Sequence, residues 1–179
     1  MSKGDTRMPE RLRSLIRDIH DYPSEGIVFR DITPLLADRA GLALAAESMV
    51  NPFRHQNVDV VVGAESRGFI FGTLLARSLN AGFIPIRKPG KLPWSTIARD
   101  YDLEYGSDRL EIHDDAIQAG QRVLLVDDLI ATGGTMEASC QLIEALGGEL
   151  VGISVLIELE GLDGAAKLAP RTVHSVLTY

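Results

Sequence analysis

Cysteine, clustered histidine, long apolar runs and positive charge are all scarce in this chain. Cys140 is the single cysteine among 179 residues, so no internal disulfide can form. It falls in an expected helix, where a small buried side chain is a better description than a reactive thiol. His20, His55, His113 and His174 show no ligand spacing, which speaks against a structural metal. No apolar run approaches bilayer length, and the opening MSKGDTRMPE is too polar for a signal peptide. The expectation is a cytoplasmic protein without a membrane partner. Lys and Arg number 18 against 25 Asp and Glu, a net charge of −7. General nucleic-acid binding leans on a basic face and is not expected. An anionic substrate must then be met by local clusters of positive charge.

What is present reads as one globular domain with a substantial core, since 45% of residues are hydrophobic and 24% charged. Leu12, Leu15, Ile16 and Ile19 are spaced as on one face of a helix over residues 7–22, ended by Pro23 and Gly26. Residues 27–32 follow as a short extended piece, and Thr33-Pro34 opens a second helical region. Short apolar runs at 58–62, 83–86, 123–126 and 150–159 suit strands buried on both faces, and 172–179 suits an edge strand. Helical patterns separate them, at 69–79 and after Gly134, where Gly147-Gly148 is a stop signal. The alternation predicts an α/β fold, a mainly parallel sheet flanked by helices on both faces. Residues 87–99 differ in kind, holding Pro89, Gly90, Pro93 and an exposed Trp94. Residues 101–106 and 109–113 then read as the two strands of a hairpin around Gly106-Ser107-Asp108. From Lys88 to that hairpin the chain is long, charged and poor in core residues, a candidate mobile lid.

The richest stretch is Val123–Thr135, VLLVDDLIATGGT. An apolar strand is expected to end at Asp127 and Asp128, and Ala131-Thr132-Gly133-Gly134-Thr135 then turns into a helix. Gly133 and Gly134 let backbone approach a ligand closely. The first N–H groups of the helix have no intrahelical partner and lie at its positive dipole end. With the hydroxyls of Thr132 and Thr135, they form a cradle for a phosphate that needs no basic side chain. Asp127 and Asp128 would repel that phosphate, but they suit sugar hydroxyls or a Mg²⁺ brought by the ligand. The combination describes a ribose 5-phosphate site. It lacks the lysine and spacing of a Walker loop, and it is not the dinucleotide G-x-G-x-x-G fingerprint.

This stretch resembles the phosphoribosyl-diphosphate signature of the type I phosphoribosyltransferase family. The turn Ala64-Glu65-Ser66-Arg67-Gly68 offers a second anion site through its amides and the Arg67 guanidinium, although alone it reads as a turn with a surface arginine. The resemblance implies that Glu65, Ser66 and Arg67 hold diphosphate, across a cis peptide carried over to Glu65–Ser66. Arg87 and Lys88 read equally well as a solvated basic loop. The wider string Ile86–Pro93, IRKPGKLP, is similar to the adenine-specific branch of the family, which adds Arg87, Lys88 and Lys91 to the diphosphate site.

On the residues alone Glu104 is a surface carboxylate and Phe29 a core aromatic. Tyr101–Gly106, YDLEYG, matches the lid motif of the adenine-specific branch. That match implies catalytic roles for Glu104 and Tyr105 beside Arg67. Gly26–Ile32 is similar to the family's hood segment. There Val28 and Arg30 would read the adenine edge through backbone groups, Phe29 would stack on the ring, and Leu159 would close the other face.

The resemblance runs from about residue 10 to the C-terminus and implies a single domain over 1–179. Within it the hood is expected at about 1–34, the core at about 35–179 and the lid at about 88–112. It implies a homodimer that joins adenine to 5-phosphoribosyl diphosphate and releases AMP and diphosphate. Substrate-associated Mg²⁺ is the implied cofactor, with no dedicated metal site. One alternative is a 6-oxopurine phosphoribosyltransferase, for which Ile157-Glu158-Leu159 lacks the expected lysine. The other is a non-catalytic phosphoribosyl-diphosphate sensor, for which the chain lacks a basic face.

Overall fold

A computed structural model describes residues 7–102 and 107–179. The chain divides into two compact units, Met1–Ser48 and Met49–Tyr179. In the first, α1 (Arg7–Ser14) is followed by β1 (Arg17–His20), β2 (Val28–Asp31), α2 (Thr33–Ala37) and all but the last two residues of α3 (Arg39–Val50). The helix expected through residue 22 thus stops eight residues early. Local bonds favour a strand there: β1 pairs antiparallel with β2, from Arg17 opposite Asp31 to His20 opposite Val28. Asp18 and Arg30 add an ion pair across the ladder. The connection is pinned where Asp21 takes a positive φ and its carboxylate accepts the Gly26 N–H at 2.8 Å. The second helical region is also split. Asp38 has extended backbone, and its carboxylate accepts the Gly41 N–H at 2.6 Å, capping α3.

In the second unit five strands form a wholly parallel sheet. They are β3 (Val60–Ala64), β4 (Gly82–Ile86), β7 (Arg122–Ile130), β8 (Glu149–Glu158) and β9 (Val173–Thr178), in the order β4-β3-β7-β8-β9. Such strands need apolar residues on both sides, and every residue of β3 is buried. Alternate side chains divide the core. Val60, Val62, Val123 and Leu125 join α5 (Gly134–Ala145) through Met136, Cys140 and Ile143. On the other face lie α4 (Gly68–Leu79) and the 3-10 turn Asn51–Phe53; the Phe53 ring closes on Gly152, and Phe83 lies against Gly63 and Gly72. Burial pushes the Cys140 thiol up to about 12, so it is an inert packing group.

The hairpin consists of β5 (Thr96–Asp102) and β6 (Ser107–His113), paired from Thr96 opposite His113 to Asp102 opposite Ser107. Ser107 and Asp108 therefore belong to a strand, not to the expected turn. The segment is also richer in core residues than its composition suggests. Leu110 and Ile112 are buried, with Ile97 and Tyr101 packed on the same cluster, because alternation turns them inward while the paired Asp100 and Arg109 face solvent. Arg87 exchanges backbone hydrogen bonds with Glu111 at 2.7 and 2.9 Å, tying β6 to the chain that leaves β4. Trp94 is exposed, as its surroundings of proline and glycine imply.

Candidate active site

β7 and β3 are neighbours in register, so their C-terminal ends open side by side. Ligands of open α/β sheets bind at this edge. A cavity of about 230 Å³ is lined there by Glu65, Ser66, Arg67, Asp127, Asp128 and the run from Leu129 to Met136. Both sequence-designated anion turns thus border one space.

The turn after β7 is fixed by backbone packing. β7 runs on to Ile130 rather than ending before the aspartates, because Asp127, Leu129 and Ile130 keep their pairing with β8. The peptide then reverses at Gly133, whose φ of +82° is costly for any side chain. Space forbids a side chain as well: a Cβ there would meet the Gly164 carbonyl oxygen at 2.7 Å. Gly164 opens the short helix α6 (Gly164–Lys167), and a Cβ on it would meet the Ala131 oxygen at 2.1 Å. Gly134, expected to be equally unusual, is simply the first residue of α5. Gly164 carries no sequence signal, because nothing in its surroundings, Asp163-Gly164-Ala165, distinguishes a packing glycine from an ordinary turn.

Asp127 and Asp128 are both buried. The Asp128 N–H donates to Asp127 Oδ1 at 2.8 Å, and Arg67 Nε lies 2.9 Å from Asp128 Oδ2. That last contact is charge on charge without hydrogen-bond alignment. Burial, and then the neighbouring Asp128 charge, push the Asp127 carboxyl well above the usual range. Burial also raises Asp128, opposed by the Arg67 guanidinium. These are oxygens that gain from a hydroxyl donor or a cation.

Glu65 closes β3, with its N–H donating to Ile86 oxygen at 2.9 Å, and the Glu65–Ser66 peptide is cis. Its carboxylate does not simply face the cavity as one more ligand group. It accepts from Arg87 Nε at 3.3 Å, from the Lys88 N–H at 3.0 Å and from Lys91 Nζ. Burial pushes Glu65 up, but these partners together hold it below its ordinary value. Arg87 also lies 6.0 Å from the Phe69 ring centre and donates to the Lys91 oxygen. Lys88 Nζ pairs with Asp108 at 2.7 Å, and Asp108 accepts from the Tyr101 hydroxyl at 3.2 Å. The Thr135 hydroxyl interacts with the same phenol, so hairpin and phosphate turn share a polar contact.

Val28, Phe29 and Arg30 are the first three residues of β2 in the first unit, with Phe29 in edge contact with Tyr22 at 5.3 Å. Leu159 follows β8, and its N–H donates to the Ile130 oxygen at 3.0 Å. Glu104 and Tyr105 fall outside the described residues.

Comparison with known proteins agrees with this geometry. Residues 32–176 match the phosphoribosyl transferase domain model. An adenine phosphoribosyltransferase of Rhodopirellula baltica is 60% identical over 94% of this chain and 82% of its own. The chain belongs to the adenine phosphoribosyltransferase family. Solved members superpose closely. The Rhodothermus marinus enzyme has a TM-score of 0.93 at 52% identity, covering 97% of this chain and 99% of its own. The Saccharomyces cerevisiae enzyme, solved with an imino-altritol bisphosphate and adenine, has a TM-score of 0.90 at 38% identity over 96% and 99%.

Proposed function

We propose that the protein transfers the 5-phosphoribosyl group from phosphoribosyl diphosphate to adenine, giving AMP and diphosphate in purine salvage. Family membership supports the reaction, and the cavity shared by the Gly133 turn and the Arg67–Asp128 pair carries the site assignment.

In this reading the amides and hydroxyls from Ala131 to Thr135 hold the 5-phosphate. Asp127 and Asp128 take the ribose hydroxyls, which replace lost water with hydrogen-bond donors. Ser66 amide, Arg67, Arg87, Lys88 and Lys91 receive the diphosphate at the turn that Glu65 opens. As the bond from ribose C1 to diphosphate oxygen breaks, positive charge grows on the sugar and negative charge on the leaving group. Fixed guanidinium charge stabilises the latter. Adenine N9 forms the new bond to C1 and gives up its proton, for which Glu104 is the proposed acceptor, with Tyr105 beside it. Val28 and Arg30 read the base through backbone groups, Phe29 stacks on it, and Leu159 closes the far face. The proposed lid, about residues 88–112, would exclude water that competes for C1.

Among the described residues no three His, Cys, Asp or Glu side chains converge as metal ligands. The adjacent oxygens of Asp127 and Asp128 nevertheless suit a hard cation. Mg²⁺ would arrive on the diphosphate, touch the site there, and neutralise leaving-group charge. A cytoplasmic homodimer is the proposed setting, resting on the family resemblance; light scattering should give about twice the 19.5 kDa chain mass.

The decisive assay incubates adenine, hypoxanthine and guanine separately with phosphoribosyl diphosphate and Mg²⁺. AMP from adenine alone is expected. Turnover of a 6-oxopurine instead, or of no base, overturns the proposal.

A further inference from the structure

Every cation assigned to the diphosphate is already paired with a carboxylate of this chain. Arg67 meets Asp128, Lys88 meets Asp108, and Arg87 and Lys91 both meet Glu65. Glu65 stands out because it binds two of them, accepts the Lys88 N–H, and lines the cavity with a side chain only 11% exposed. A carboxylate at the centre of an anion site is hard to explain as a ligand group, since it would repel the substrate's leaving group.

We propose that Glu65 is a resident counter-anion that diphosphate must displace from Arg87 and Lys91, so that it weakens diphosphate binding and hastens product release. The inference rests on the diphosphate reading above and concerns how that site is tuned. Without an anion, Arg87 and Lys91 would repel each other and sample many rotamers; Glu65 collects them at the mouth of the cavity. When diphosphate enters, its oxygens must offer those cations more than Glu65 does, and only the difference appears as affinity. The same exchange in reverse accompanies release, with Glu65 recapturing each cation as the product leaves. Asp108 does this for Lys88 on a more exposed pair, whose lysine side chain is 52% exposed.

The two roles open to Glu65 have opposite signs. If it competes with diphosphate, removing its charge strengthens diphosphate binding; if it merely holds the cations in place, removal weakens it. The test is calorimetric binding of inorganic diphosphate with Mg²⁺ to the full chain, paired with product-inhibition kinetics. Glu65→Gln should bind diphosphate about fivefold tighter, the scale of a partly buried ion pair. The inhibition constant should fall by the same factor. Glu65→Asp, which keeps the charge, should stay within about twofold of wild type. Asp108→Asn should shift affinity in the same direction by less, and it keeps the test alive should Glu65→Gln fail to fold. Unchanged or weaker binding by Glu65→Gln and Asp108→Asn overturns the inference. A wild-type protein that does not bind diphosphate overturns the diphosphate reading itself, an outcome distinguishable before any variant is made.

Discussion

Between Ala131 and Thr135 the backbone is fixed by contact, with the Gly133 and Gly164 main chains so close that neither tolerates a Cβ. Around Glu65 the arrangement is fixed by charge, through Arg87, Lys88 and Lys91 on side chains and one peptide N–H. The first region contains no cation, and the second is built from them. A packed turn has one conformation and cannot rearrange cheaply. Ion pairs on half-exposed side chains can change partners at small cost. This division suits the proposed reaction, since the 5-phosphate stays attached throughout while the diphosphate must leave.

The largest expected break lies in the packed region. Gly133→Ala forces a methyl group into a positive φ and into the Gly164 oxygen, so turn and α6 must separate. Turnover should fall by at least about a hundredfold, with stability lost by about 1–3 kcal/mol. Steady-state kinetics and urea midpoints check both. An active, stable variant would show that the turn can relax, and the contrast with the charged region would collapse.

Arg67 lines the cavity that both regions border, so it comes next. Arg67→Met removes leaving-group stabilisation and leaves the buried Asp128 without its cation. A loss of about a hundredfold in kcat is expected, the scale of one preorganised charge contact. A loss confined to KM would mean that Arg67 only binds substrate.

Much of this division is legible in the amino-acid order, and the illegible part has a common cause. The buried strands, the Gly133 turn and the two anion loops follow from short apolar runs and the residues after them. The end of α1 is not legible because the i, i+3, i+4 spacing of Leu12 to Ile19 ignores the pairing that Val28–Asp31 offers to Arg17–His20. The hairpin looked coreless because Leu110 and Ile112 are flanked by charged residues; their alternation becomes meaningful only once α5 lies against them. Gly164 and the Glu65 hub depend on residues far apart in sequence meeting in space. No local signal encodes such meetings.

The Asp127 carboxyl sharpens the comparison through stability. Its value is raised in the fold, so between the ordinary aspartate range and that raised value the native state holds more protons than the unfolded one. Stability contributed by this group is therefore lost as pH rises through that window. Asp127→Asn removes the penalty and should raise Tm near pH 7, with the gain shrinking as pH falls and vanishing below the ordinary aspartate range of about 4, where Asp127 is protonated in both states. A gain independent of pH would assign the effect to packing instead. Glu65 is shifted the other way, so its contribution is lost as pH falls through its lowered native value.

The smallest effect should come from Lys91, whose side chain is 44% exposed. Lys91→Met removes one cation but leaves Arg87 on Glu65, so KM for phosphoribosyl diphosphate should rise by only about fivefold at low salt. Added salt should shrink the difference, because solvent ions screen an exposed charge in both enzymes but cost only the wild type this contact. The same titration separates the regions directly. Ribose 5-phosphate alone depends on short-range amide and hydroxyl donors, whereas diphosphate depends on side-chain cations. Ribose 5-phosphate affinity should therefore fall less steeply with salt than diphosphate affinity. Equal slopes for the two ligands, measured by calorimetry across a salt series, would mean that the packed turn relies on the field of the same cations. The two regions would then be a single electrostatic site.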